Sequence, residues 1–271
     1  MPRHLVYTLA LDPVGAMEHR NMAKLLVSSL LRSGFTGDIV VFHNSPHPLF
    51  MVPRACVREV RIEATNAPDC DHSFQYYAQS FKHSLAKHID PAGYDKIAFI
   101  DCDAVVIKPL DPLLTGDWDL AVLPEAWTHI QSGYFGCYLT QHERETLKME
   151  GINSGTWAVR ASRWRELMKT WRAIESEPAP FREGNCLFEQ SAFNRLVRDW
   201  SRSGNVVKWP MHEVALPFCP GGLSFFGQYM NSTIVHVAGA GLPVKMQFLF
   251  SVYAAAYLHD RNLTLFNIME M

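Results

Sequence analysis

Apolar runs and helix-like spacings alternate along the first hundred residues of the chain. Residues 5–11, 39–42 and 96–100 are mainly apolar, which predicts strands buried inside a sheet. Between them, apolar residues recur every three or four positions over 18–31 and 74–89, which predicts two helices. Strands that alternate with helices are typical of a mostly parallel, Rossmann-like sheet flanked by helices. The pattern therefore predicts an α/β protein.

The remaining pattern predicts shorter and less regular elements. Further strands are predicted at residues 57–62, 119–123, 152–159, 206–209 and 233–237, and further helices at residues 162–176, 187–200 and 243–259. No repeat, linker or low-complexity tract divides the sequence, so we expect a single domain over residues 1–271. This domain is expected to join a sheet half to a smaller mixed region.

Composition and charge narrow the classes of function. The chain has 271 residues, of which 48% are hydrophobic and 19% charged, which predicts a globular protein with a sizeable core. A formal net charge of −2 provides no positive field for nucleic acid, so we expect no nucleic-acid partner. No signal peptide and no transmembrane segment is recognisable, so we expect a cytoplasmic location. The six cysteines form no CxxC pair and are expected to be reduced thiols.

Three Asp-x-Asp triplets are the first candidates for chemistry. Two of them, at 69–71 and 117–119, lie in turn-like sequence and predict solvated loop carboxylates. The third, Asp101 and Asp103, lies between two apolar runs at the end of the predicted strand 96–100. Residues i and i+2 of an extended chain point to the same side, so both carboxylates can converge on one ion. A divalent cation shared with a phosphate satisfies this arrangement, and the alternative is a turn neutralised by an Arg or Lys.

At this point the sequence resembles a known family. Residues 97–114, which contain Asp101 and Asp103, resemble the metal-binding segment of nucleotide-sugar glycosyltransferases with the GT-A fold. The glycogenin and lipopolysaccharide galactosyltransferase family is the most similar. Its other motifs are matched in order, although Glu189 replaces the usual Asp and the gap from Gly239 to Lys245 is longer than in the family. These matches are Lys82 before the acidic strand, Asn153-Ser154-Gly155, Glu189-Gln190, and His236 with Gly239 and Lys245.

The resemblance implies a role for each of these residues. Asp101, Asp103 and His236 are expected to hold the metal, and a neutral imidazole beside carboxylates favours Mn²⁺ over Mg²⁺. Lys82, Gly239 and Lys245 are expected to contact the diphosphate of the donor. Residues expected at the base and ribose are Thr8 and Asp12. Residues expected at the reactive face of the sugar, as nucleophile, stabiliser or hydroxyl-binding groups, are Asn153, Glu189 and Gln190.

The activity that the resemblance implies is sugar transfer with retention of configuration. The donor is expected to be a nucleotide sugar, with a UDP-sugar as the default, and the acceptor a saccharide or another molecule with a free hydroxyl. Residues 1–115 are expected to bind the nucleotide, and residues 116–271 to bind the acceptor and close the site. An inverting enzyme with Glu189 as base is the alternative stereochemistry.

Other functions fit parts of the same pattern. Haloacid-dehalogenase-like phosphatases use a similar motif, with Asp101 as nucleophile and Asp103 as general acid. A catalytically inactive protein that binds a sugar nucleotide is the non-enzymatic alternative. Separately, Arg165, Lys169 and Arg172 share one face of a predicted helix. This face is expected to be solvated, and peripheral contact with an anionic acceptor or a membrane surface is the alternative.

Overall fold

A large mixed sheet forms the centre of the protein in the computed structural model. The structure describes residues 3–13, 15–51, 54–63, 81–129, 135–181, 188–217, 227–239 and 241–257, and the side chains of all of these except 126–129. The strands are β1 (His4–Ala10), β2 (Asp38–His43), β3 (Val57–Arg61), β4 (Lys96–Ile100), β5 (Ala104–Val106), β6 (Leu120–His129), β7 (Glu150–Arg160), β8 (Val206–Lys208), β9 (Val214–Ala215) and β10 (Ile234–His236).

Seven of these strands make the central sheet, in the order β3-β2-β1-β4-β7-β6-β8. Strands β1 to β4 run parallel to one another, and β8 is parallel to β6. Strand β7 lies antiparallel between β4 and β6. The predicted mostly parallel sheet is thus confirmed. A smaller sheet of β5, β10 and β9 lies beside it, and β10 is antiparallel to β5.

Helices cover both faces of the central sheet. They are α1 (Glu18–Arg32), α2 (Asp111–Leu114), α3 (Gln141–Thr146), α4 (Trp164–Glu175), α5 (Phe188–Ser203) and α6 (Leu242–Tyr257), with 3₁₀ helices at Ser84–His88 and Ala161–Arg163. Along β4, Ala98 and Ile100 pack in the core beneath α1 and α6, whereas Ile97 and Phe99 pack in the core beneath α4 and α5. Strand β4 is therefore buried on both faces, as its apolar sequence predicts.

The helix predicted over residues 74–89 is wrong in its described part. Residues 74–80 lie outside the described residues, and residues 81–83 form a turn that leads into the 3₁₀ helix Ser84–His88. The Ser84 hydroxyl donates a hydrogen bond to the carbonyl of Phe81 over 2.8 Å. Such local side-chain bonds compete with the α-helical pattern, and apolar spacing alone does not detect them. Lys82 therefore projects from a turn and not from a helix.

The cysteines also differ from expectation. Cys137 is disulfide-bonded, whereas Cys56 and Cys102 are free. The expectation of six reduced thiols is therefore wrong for Cys137, because a disulfide depends on the approach of two Cα atoms in the fold and not on spacing in the sequence. Among the helices that the structure describes, none has both the length and the apolar composition needed to cross a membrane.

Candidate active site

The acidic pair lies at the carboxyl end of β4, next to the point where the central sheet changes direction. Asp101 directly follows β4 and Asp103 directly precedes β5. Strand β10 pairs with β5 and places His236 opposite Ala104. On the other side, the amide of Asp101 donates to the carbonyl of Gly155 in β7 over 2.7 Å. Open α/β sheets bind ligands at such positions.

Three predicted metal ligands converge here. One ligand atom from each of Asp101, Asp103 and His236 lies within 4.8 Å of the others. His236 Nε2 is 3.2 Å from Asp103 Oδ1 and 3.8 Å from Asp101 Oδ2. The other ring nitrogen, Nδ1, is 3.3 Å from the hydroxyl of Thr156, so Thr156 orients the ring with Nε2 toward the carboxylates. Two carboxylates and one imidazole suit a divalent ion such as Mn²⁺.

A glycine allows this approach. A Cβ atom at position 155 would lie 2.2 Å from Asp101 Oδ2 and 2.4 Å from His236 Cε1, well inside van der Waals contact. The third residue of Asn153-Ser154-Gly155 is thus a glycine because the carboxylate and the imidazole lie against its backbone. The motif resemblance had located this segment, but its steric role is visible only in the fold.

Two lysines neutralise the acidic pair. Lys82 Nζ lies 3.3 Å from Asp101 Oδ2 and 3.6 Å from Glu189 Oε1, and Lys245 Nζ bonds directly to Asp103 Oδ2. Burial works to lower the pKa of each lysine, but the neighbouring carboxylates outweigh it and raise the pKa of both. The sequence analysis offered a metal ion or a basic residue as the partner of the acidic pair. The structure places two lysines beside the pair, in the same cluster as the candidate metal ligands.

The two aspartates differ in their electrostatic environment. Burial raises the pKa of Asp101, and Lys82 only partly opposes this. Burial also works to raise the pKa of Asp103, but Lys245 and His236 outweigh it and hold the pKa of Asp103 below its usual value. Asp103 is therefore the more firmly ionised of the pair, since it has two close cationic or donor partners.

A second polar cluster lies beside the first. The Ser154 hydroxyl is 3.0 Å from Glu189 Oε2 and 3.1 Å from Gln190 Oε1. The Asn153 amide donates to Glu125 Oε1 over 2.7 Å, and Asn153 Oδ1 accepts from the amide of Gly155 over 2.7 Å. These side chains come from β6, β7 and α5, and each is less than 10% exposed. The three residues predicted at the sugar face are thus brought together.

Burial raises the pKa of Glu189 to about 7, although Lys82 opposes the shift. Its Oε1 atom is buried and has no hydrogen-bond partner among the described residues. A carboxyl group in this state exchanges its proton near neutral pH, a property common at catalytic positions. The usual Asp of the family motif is replaced here by a longer acid that reaches the lysine.

Sequence reasoning missed two residues of this cluster. Glu125 lies in the apolar strand β6, and burial raises the pKa of its carboxyl. A charged residue with apolar residues on both sides, at 120–124 and 126–127, is the sequence pattern that would have indicated it. Ser154 was named only as part of a motif, without a role for its side chain. Its hydroxyl contacts residues 35 and 36 positions away, which no local pattern reveals.

The residues predicted at the base and ribose lie at the end of β1. Thr8 is buried, and its hydroxyl has no hydrogen-bond partner among the described residues. Both carboxylate oxygens of Asp12 accept hydrogen bonds from the first turn of α1, through the backbone amides of His19 and Arg20, and Arg20 also donates from its side chain. Asp12 therefore anchors this helix, and its contact with a nucleotide remains a prediction.

The remaining predicted positions are placed as follows. Gly239 is exposed and has a φ of 70°, a backbone conformation that favours glycine. Asp117 and Asp119 of another triplet form ion pairs with Arg160, away from the acidic pair of β4. The triplet at 69–71 lies outside the described residues. Of the two described triplets, Asp101 and Asp103 thus lie together with His236, whereas Asp117 and Asp119 pair with an arginine.

Comparison with solved structures defines the fold. No family model matches the chain, and no curated protein matches its sequence. The bifunctional glycosyltransferase WbbM is similar with a TM-score of 0.61 and 15% identity over 94% of this chain, which spans 50% of the WbbM chain. The galactosyltransferase LgtC, solved with donor and acceptor sugar analogues, has a TM-score of 0.61 and 14% identity over 93% of this chain and 96% of its own.

Mouse xyloside xylosyltransferase 1 is similar over 87% of this chain and 97% of its own, with a TM-score of 0.53 and 12% identity. At these identities the similarity establishes the fold. The chain thus has the GT-A glycosyltransferase fold that its motifs predict, with a mixed α/β sheet and the acidic pair at the end of a central strand.

Proposed function

We propose that the protein is a metal-dependent glycosyltransferase that moves a sugar from a nucleotide diphosphate, a UDP-sugar, to an acceptor hydroxyl with retention of configuration. One observation carries the proposal. In a GT-A fold, Asp101, Asp103 and His236 meet at the carboxyl end of β4, with Lys82 and Lys245 beside them. The acceptor is proposed to be a saccharide or another molecule with a free hydroxyl.

The main difficulty of sugar transfer is charge on the leaving diphosphate. A divalent ion held by Asp101, Asp103 and His236 supplies Lewis-acid stabilisation of this group when bound. Lys245, which bonds to Asp103 in this structure, would supply a positive charge to a diphosphate bound beside the acidic pair. Lys82 adds a second fixed positive charge. Positive groups arranged before the reaction begins stabilise the charge that develops, without further rearrangement.

The second polar cluster supports a role at the sugar. Asn153, Glu189 and Gln190 present amide and carboxyl groups that can bind sugar hydroxyls or stabilise positive charge at the anomeric carbon. Glu189 in its ionised form is the candidate nucleophile or electrostatic stabiliser. The same group in its protonated form is a hydrogen-bond donor, so the two forms support different steps.

The alternatives from the sequence are less well supported. The three similar structures named above are glycosyltransferases, which favours sugar transfer over a phosphatase reaction at Asp101. An inactive protein that binds a sugar nucleotide would share the whole site, so only a product assay separates it from a transferase.

The decisive experiment measures UDP binding by calorimetry with and without Mn²⁺. We expect Asp103→Asn and Asp101→Asn to weaken metal-dependent UDP binding at least ~10-fold, because each removes a charged ligand. The matched control is Asp117→Asn, which changes an exposed aspartate of another triplet and is expected to leave binding unchanged. Equal affinity in wild type and Asp103→Asn would refute the site.

Activity is then measured with a panel of nucleotide sugars, by release of free sugar or transfer to an acceptor. We expect chelation with EDTA to abolish turnover and Mn²⁺ to restore it. Full activity in EDTA would remove the metal from the proposal. Metal-dependent UDP binding without any product over hours would instead identify an inactive binding protein.

A further inference from the structure

Ser154 contacts two of the predicted sugar-face residues, Glu189 and Gln190, and also Lys82. Its hydroxyl lies 3.0 Å from Glu189 Oε2 and 3.1 Å from Gln190 Oε1, and its backbone amide donates to the same Gln190 oxygen over 3.3 Å. Its carbonyl accepts from Lys82 Nζ over 3.4 Å and from the indole of Trp157 over 3.1 Å. With only 1% exposure, Ser154 has no access to solvent that would replace these bonds.

The hydroxyl of Ser154 has one proton for two acceptors. A serine hydroxyl donates one hydrogen bond and accepts up to two. When Glu189 is ionised, both Glu189 Oε2 and Gln190 Oε1 need a donor, and the proton of Ser154 serves only one of them. When Glu189 is protonated, it donates to Ser154 Oγ, and Ser154 is free to donate to Gln190. The carbonyl of Gln190 is thus fully bonded in one protonation state and only partly bonded in the other.

The orientation of the Gln190 side-chain amide depends on the hydrogen bond from the Ser154 hydroxyl to Gln190 Oε1. Its carbonyl end faces the amide and the hydroxyl of Ser154, and its side chain also hydrogen-bonds to the buried carboxyl of Glu125. A carboxylate accepts and does not donate, so the NH₂ end of Gln190 belongs on the Glu125 side. Without the hydrogen bond from the Ser154 hydroxyl, the carbonyl end of the Gln190 amide is held less firmly in this orientation.

We propose that Ser154 is a positioning residue that orients Gln190 at the sugar face when Glu189 is protonated and relaxes this hold when Glu189 is ionised. The inference rests on the proposed function, because it concerns residues assigned to the sugar. The charged and titratable groups that act on Glu189 are Lys82 from the turn before the 3₁₀ helix, Asp101 from the end of β4 and Glu175 from α4. Ser154 adds a hydrogen bond that favours the ionised form.

The test compares Ser154→Ala with Ser154→Thr, which keeps a hydroxyl. The first measurement is an infrared titration of the Glu189 carboxyl in the protein without ligand, with Glu189→Gln used to assign the band. Without the hydroxyl, we expect the midpoint of this titration to rise by about one pH unit, which is a tenfold change in proton affinity. Ser154→Thr is expected to restore the wild-type midpoint.

The second measurement is the pH dependence of kcat and KM with the donor. For Ser154→Ala we expect kcat to fall about tenfold, the donor KM to stay within about threefold, and the kcat profile to move with the infrared midpoint. A matched control is Ser28→Ala, which removes another buried hydroxyl, bonded to Tyr253 on the α1 and α6 side. It is expected to change neither the midpoint nor the pH profile.

Two outcomes overturn different statements. If the wild-type protein transfers sugar and Ser154→Ala leaves both the midpoint and the kcat profile unchanged, the inference about Ser154 is wrong and the proposed function stands. If the wild-type protein transfers no sugar from any donor, the proposed function is wrong, even where the infrared midpoint moves as expected. Thermal unfolding of each variant excludes a general loss of structure as the cause of either result.

Discussion

Replacement of Gly155 by alanine is a direct test of the site geometry. A Cβ atom at this position would lie 2.2 Å from Asp101 Oδ2, 2.4 Å from His236 Cε1 and 2.9 Å from Asn153 Oδ1. Because ordinary van der Waals contact begins near 3.4 Å, the carboxylate must move by about 1.2 Å and the imidazole by about 1 Å. All three neighbours are predicted site residues, so the perturbation falls on the proposed metal and sugar positions.

The expected effect on function is larger than the effect on stability. Overpacking of this kind costs about 1–3 kcal/mol of unfolding free energy, which leaves a domain of this size folded. A displacement of about 1 Å in a catalytic group, by contrast, costs on the order of 10²-fold in rate. We therefore expect Gly155→Ala to stay folded, to bind UDP with Mn²⁺ at least ~10-fold more weakly, and to lose most of its turnover.

Calorimetry with UDP and Mn²⁺ and urea unfolding together separate the two effects. The matched control is Gly227→Ala, because a Cβ at that position meets no atom of the described residues within 4 Å and its φ is not in the left-handed region. The control is expected to match the wild type in both assays. If Gly155→Ala also binds UDP and Mn²⁺ with wild-type affinity, the approach of Asp101 and His236 to this backbone is not the functional geometry, and the argument from the close contact is wrong.

Two further predictions concern charge in the same site. Lys245→Met removes the cation that bonds to Asp103. Mn²⁺ alone should then bind about tenfold more tightly, whereas UDP with Mn²⁺ should bind more weakly. Unchanged Mn²⁺ affinity in calorimetry would show that the lysine does not compete with the ion. Glu189 keeps its proton in the folded state up to pH about 7 but loses it near pH 4.5 when unfolded. Because the folded state binds more protons in this window, the contribution of Glu189 to the unfolding free energy should fall between pH 4.5 and 7, by about 3 kcal/mol at most, and change little at higher pH. Glu189→Gln should lack this decrease in urea unfolding at pH 5 and pH 8, and identical pH dependence in both proteins would contradict the raised pKa.

Much of the fold was predictable because its elements have strong local patterns. Strand β4 matches the predicted bounds at residues 96–100, and α1 and β7 lie within a few residues of theirs. Buried strands of a parallel sheet are apolar on both faces, and amphipathic helices repeat every three or four residues, so periodicity identifies both. The described part of the predicted helix 74–89 is wrong because a serine-to-carbonyl bond favours a tighter turn there.

The candidate site was predictable where its residues stand in a local sequence pattern or in a motif that resembles a known family. Asp101 and Asp103 stand out as a triplet after an apolar strand, and the family motifs added His236, Glu189 and Lys82. The raised pKa of Glu189 and the disulfide of Cys137 follow from burial and proximity, which the sequence does not show. Burial and proximity in the fold also bring Glu125 and the hydroxyl of Ser154 into the candidate site.

Sequence by itself determined most of the longer strands and helices, the acidic pair after β4 and the motifs that resemble a glycosyltransferase, because each of these is a pattern within a few consecutive residues. Tertiary structure decided which charges meet. Lys245 and Asp103 are 142 residues apart, and Ser154 and Glu189 are 35 apart, yet each pair is in contact. Such contacts depend on how the chain crosses between β4, β7, α5 and α6, and burial then sets the charge state of the groups that meet there.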